Sequence, residues 1–108
     1  MKNKNALNTL AFLNKNEQRE IIALFISTST IFFSEFKNLY SSQNLIRLEK
    51  ICHNYGSSLI AFNLEDCIQI LEKISNELNK KNIEDTYSPF LILEDKVNSF
   101  INDLNKYL

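Results

Sequence analysis

Residues 44–62 read NLIRLEKICHNYGSSLIAF. Apolar side chains fall at Leu45, Leu48, Cys52, Tyr55, Leu59 and Phe62, at spacings of 3, 4, 3, 4 and 3. That repeat lines one side of an α-helix, so it predicts a helix over this stretch with the seam buried. His53 lies off the seam. Glu49, Lys50, Gly56 and Ser57 share its own side of the helix.

The same periodicity extends in both directions. Residues 17–40 present Ile22, Phe25, Ile26, Phe32, Phe33, Phe36, Leu39 and Tyr40, and predict a long helix with a polar turn and N-cap at 14–16. The hydroxyl run at 27–30 competes for backbone groups, which marks a site for a bend, with β-structure through Thr30–Phe33 as an alternative. Asn63 is placed to cap a helix reaching Leu78, with Glu65 and Asp66 in its first turn and Cys67, Leu71, Ile74 and Leu78 inward. Residues 79–87 form the longest loop. Ser88 then serves as N-cap and Pro89 as first helical residue of a last helix ending near Tyr107. Residues 6–13 add a short amphipathic helix at the start. The result is all-α: an antiparallel up-down-up-down four-helix bundle with a short N-terminal capping helix, one domain over residues 1–108.

Composition narrows the function. The chain has 108 residues and a formal net charge of −1, so bulk electrostatics favour neither nucleic acid nor an anionic membrane. With one glycine and one proline, turn signals are too few for a many-stranded sheet. Cys52 and Cys67 sit on apolar stripes and read as small buried hydrophobes. Two cysteines and a single histidine fall short of a structural zinc set, so no metal is expected. The N-terminal segment MKNKNALNTLAFLNKNEQ has its apolar patch broken by Asn and Thr, and reads as neither signal peptide nor membrane span. A cytoplasmic setting follows as the expectation. No Gly-rich phosphate loop or serine triad can be assembled.

His53 is the remaining candidate for chemistry. Gly56 and Ser57, three and four residues on, leave no bulky neighbour toward the C-terminus. Glycine inside a helix costs about 1 kcal/mol relative to alanine, which access to His53 would offset. Lys50 lies one turn before the histidine and Arg47 two turns before, with Glu49 partly opposing them. An exposed imidazole is a competent nucleophile near neutral pH, and nearby cations favour a phosphoryl group once it is attached.

The segment RLEKICHNYGSSLIAFNLEDC resembles the histidine-containing phosphotransfer (HPt) domain, in particular its small free-standing, LuxU-like members. That family carries a phospho-acceptor histidine on the second helix of a four-helix bundle. Its motif runs His, any residue, Leu, Lys, Gly or Ser, then Ser, with an apolar residue and Gly-Ala about nine residues after the histidine. His53 matches the acceptor, Tyr55 the apolar position, Ser57 and Ser58 the small pair, and Phe62 the later apolar residue. Asn63 and Leu64 stand where Gly-Ala is usual. Gly56 stands where the family has lysine. Helix order and lengths extend the likeness over about residues 15–106.

The resemblance implies a phosphocarrier rather than an enzyme in the turnover sense. A receiver-domain aspartyl phosphate would be the donor, another receiver the acceptor, and the receivers would supply the Mg²⁺. The chain itself needs no cofactor and is expected to be a monomer. Attack through Nε2 of His53 is implied. Lys50, Asn54, Gly56, Ser57 and Ile60 share or border the His53 face and are the expected docking and phosphate-stabilising residues. With lysine missing at Gly56, a second possibility is a module that binds a receiver or kinase without carrying phosphate. A third is a helical adaptor unrelated to signalling.

Overall fold

Asn14 begins the bundle. Its side-chain oxygen accepts the Glu17 backbone N–H at 2.8 Å, and Glu17 Oε1 accepts the Asn14 N–H at 3.1 Å. This capping box satisfies two otherwise orphaned donors and starts helix α1, Lys15–Ser41. The computed structural model describes residues 10–106. Helix α2 spans Leu45–Ala61, α3 Glu65–Asn79 and α4 Tyr87–Asn105, with a 3₁₀ turn at Ile83–Thr86 just before α4. At 1.5 Å per residue the 27 residues of α1 run about 40 Å, which sets the 43 Å long dimension of the molecule.

The chain reverses between helices by one device used repeatedly. Gln43, Asn63 and Lys81 adopt left-handed φ of 56°, 53° and 63°. Beside each, two crossed hydrogen bonds close a Schellman motif. Asn44 N–H donates to Leu39 O and Gln43 N–H to Tyr40 O; Leu64 pairs with Leu59 and Asn63 with Ile60; Asn82 pairs with Glu77 and Lys81 with Leu78. These tight reversals make neighbours antiparallel, so α2 packs on α1 and α3, and α4 closes the bundle against α3 and α1. The fold is an all-α up-down-up-down bundle, with no strand among the described residues.

Aromatic rings tie the helices together. Phe36 of α1 stacks on Phe90 of α4 with centroids 4.0 Å apart, and both are fully buried. Toward the other end Phe25, Phe62 and Phe100 meet edge to face at 5.0–5.5 Å. Burying such rings contributes about 2–3 kcal/mol each. Leu10, fully buried, closes that end, held where Gln18 Nε2 donates to the Leu10 and Leu13 carbonyls at 2.7 and 3.1 Å. An exposed ion pair, Lys37 to Glu94 at 2.8 Å, links α1 to α4.

Several local expectations change. Helix α1 passes through Ser27–Thr30 without interruption, because the hydroxyls bond within the helix or into the core. Asn63 does not cap α3: it is the left-handed residue closing α2, Leu64 takes the N-cap position, and no side chain caps there. The segment 79–87 is less open than expected, since Asn79 and Tyr87 belong to the flanking helices and a 3₁₀ turn takes four of the seven residues between them. Helix α4 therefore starts at Tyr87, and Ser88 lies inside its first turn rather than capping it. Pro89 remains in that turn, where no intrahelical N–H is required. The capping helix expected over 6–13 lies mostly outside the described residues, and residues 10–12 form a turn. The expected end near Tyr107 lies outside them too.

Candidate functional site

Helix α2 carries the site because its seam is committed elsewhere. Leu48, Cys52, Tyr55 and Leu59 are all buried, leaving the opposite side of the helix to solvent. His53 is exposed there. Among the described residues no side chain hydrogen-bonds or ion-pairs with its imidazole, so neither ring nitrogen is committed to a side-chain partner.

The residues predicted around it fall on or beside one outward face. Lys50, Asn54 and Ser57 are exposed, and Ile60 is 65% exposed. Ser57 Oγ donates to the Asn54 carbonyl at 2.9 Å, so toward a partner this hydroxyl offers lone pairs rather than its proton. Lys50 takes part in none of the ion pairs among the described residues. Arg47 is different: its guanidinium reaches Glu35 of α1 at 3.9 Å, which turns part of its charge away from the histidine.

Gly56 is half-buried at the margin of this face, over α3. Its φ is not left-handed, and a Cβ built on it would meet Leu71 Cδ2 at 3.8 Å, an ordinary contact. Neither backbone conformation nor packing demands glycine. The helix therefore carries the cost of glycine without a structural return.

Two features escaped sequence reasoning. Ile46 is 81% exposed and stands seven residues before His53, as Ile60 stands seven after. Helical spacing puts both on the histidine's line, two turns to either side. The i−7 spacing was available in the sequence, but Ile46 adjoins the seam residue Leu45 and passes for core. The second feature lies beneath. Tyr55 Oη and Ser29 Oγ are 2.7 Å apart and buried, and the Tyr55 ring stacks on Phe32 at 4.1 Å. No periodicity reveals that a seam tyrosine has a hydroxyl partner on another helix.

No group of three or more His, Cys, Asp or Glu among the described residues is arranged to hold an ion. Cys52 and Cys67 are free and buried, and burial pushes their thiols up to about 12 and about 11. No described helix is long and apolar enough to cross a membrane. Comparison with protein-family models, curated proteins and solved structures finds no match.

Proposed function

We propose that the protein is a phosphocarrier of a two-component phosphorelay, holding a phosphoryl group on His53 between receiver domains. The observation that carries this reading is an exposed imidazole, free of side-chain partners, on an outward helix face with the small Gly56 and Ser57 one turn on, Lys50 and the opposing Glu49 one turn back, and exposed isoleucines at either end. Transfer would use the lone pair of a neutral imidazole nitrogen, by the family resemblance Nε2, to attack phosphorus of a receiver's aspartyl phosphate. The P–N bond forms, the acyl P–O bond breaks, and the aspartate leaves as carboxylate. The receiver supplies Mg²⁺ and the acidic pocket, so this chain needs a positioned nucleophile and room to dock. Lys50 offers charge to the bound phosphoryl group. Ile46 and Ile60 offer apolar contact at either end. The protein in this reading is not a turnover enzyme, and it works in the cytoplasm beside its receivers.

One observation favours a second reading. Gly56 removes the lysine expected one turn after the histidine, which suits a module that docks a receiver without accepting phosphate. Intact mass after incubation with phosphorylated receivers and Mg²⁺ separates the two. A carrier gains one phosphoryl group and His53→Gln does not. A docking module binds equally well with either residue and gains none.

A further inference from the structure

Helix α1 has an exposed face that phosphoryl transfer does not use. From residue 21 to residue 34 the chain holds no charged side chain, yet Ala23, Leu24, Ser27, Thr30, Ile31 and Ser34 are exposed. Solvated helix faces ordinarily carry charge. Leu24 and Ile31 are 65% and 58% exposed and seven residues apart, so they share one line along the helix. The hydroxyls between them are less polar than they look. Ser27 Oγ donates to the Leu24 carbonyl at 3.1 Å and Thr30 Oγ1 to the Ile26 carbonyl at 2.9 Å. Covering this face strands neither proton.

We propose that two copies of the chain associate through this face, α1 against α1, antiparallel about a two-fold axis between Ser27 and Thr28. A two-fold contact needs a patch complementary to itself under that rotation. Reversal about this point exchanges Leu24 with Ile31, so each leucine meets the other copy's isoleucine. Ala23 and Ser27 are small enough for close approach of the helices. Charges resume at both ends. Glu20 of one copy comes level with Glu35 of the other, whose Arg47 neighbour is 62% exposed and 3.9 Å away. That arginine then faces two carboxylates. The charge-free span is about 21 Å long, which points to an interface near the small end of the specific range, below about 1,200 Å² in total. The dimer is therefore weak and concentration-dependent, and the monomer expected from sequence is its dilute form. His53 belongs to α2 and takes no part, so this proposal stands apart from the phosphocarrier reading.

Sedimentation equilibrium of the full chain, from micromolar to millimolar, tests it. The mass should rise from that of one chain toward that of two. Leu24→Lys and Ile31→Glu should each hold it at one chain. The double variant should dimerise again, because only the antiparallel arrangement sets each lysine against the other copy's glutamate. Both side chains are exposed, and far-UV circular dichroism checks that the variants stay helical. A wild-type mass of one chain at millimolar concentration overturns the proposal. So do single variants that associate as well as wild type, or a double variant that fails to recover.

Discussion

His53 and Tyr55 stand two residues apart on α2 and face opposite ways: the imidazole is exposed, while the tyrosine is 2% exposed with its hydroxyl 2.7 Å from Ser29 Oγ. Two helical residues turn the chain about 200°, so whatever fixes one side chain inward fixes the other outward. Tyr55 is held by one turn of α1, through Phe32 against its ring and Ser29 against its oxygen. The outward setting of the histidine thus rests on a buried tyrosine.

That pair predicts an asymmetry. Ser29→Ala leaves the Tyr55 hydroxyl buried without its partner and should cost about 1–3 kcal/mol. Tyr55→Phe leaves Ser29 able to donate to a carbonyl one turn back, and should cost about 1 kcal/mol or less. The double variant should be more stable than Ser29→Ala alone. Urea unfolding measures all three, and losses that simply add would contradict the coupling.

The interhelical reversals predict gains. Gln43 and Lys81 hold left-handed φ of 56° and 63° with side chains that disfavour it. Gln43→Gly and Lys81→Gly should each stabilise by about 1 kcal/mol, raising the melting midpoint by roughly 4–8 °C. Asn63→Gly should gain less, since asparagine tolerates this region. A fall in midpoint for both Gln43→Gly and Lys81→Gly would contradict the account of these turns.

Gly56 predicts two separate gains, one in stability and one in transfer. Gly56→Ala should stabilise by about 1 kcal/mol, because the added Cβ meets Leu71 at an ordinary 3.8 Å. Gly56→Lys restores the cation that the family resemblance leads one to expect. A charge-assisted contact of about 1.5 kcal/mol made only in the transition state would speed phosphoryl transfer about tenfold. An unchanged transfer rate would argue that Lys50 already fills this role.

Alkaline pH should loosen the fold. Burial pushes the Cys52 thiol from an ordinary 9.0 up to about 12 and Cys67 up to about 11, and raises the Tyr55 phenol despite its Ser29 hydrogen bond. The folded state therefore holds these protons more tightly than the unfolded state. Stability from this source is intact below pH 9 and declines as pH climbs through the raised values. Denaturant midpoints across pH 7–11 should fall mainly above pH 9. Thiol reagents at pH 8 should label the native cysteines far more slowly than the unfolded ones.

Much of the bundle is legible from spacing alone, because period and burial are the same fact on an amphipathic helix. The seam from Leu48 to Phe62 and the inward Cys67, Leu71, Ile74 and Leu78 lie where their pattern puts them, and the cap expected within 14–16 falls on Asn14. The reversals were harder to read. Asn63 suits both a helix N-cap and a left-handed C-terminal position, and the crossed bonds to Leu59 and Ile60 decide between them. Ser88-Pro89 resembles a helix start, but the 3₁₀ turn feeds straight into α4 and moves that start to Tyr87. In the candidate site, the exposure of His53, Lys50 and Ser57 follows from helical phase. The Arg47–Glu35 and Ser29–Tyr55 pairs do not, since each joins two helices whose register no local pattern states.

The most direct measurement is the fate of a radiolabelled phosphoryl group when the protein is mixed with a phosphorylated receiver domain. The account predicts label on this chain that is stable to base, labile to acid and absent from His53→Gln. Label that persists in His53→Gln, or no label from any of its cognate receivers, would contradict it.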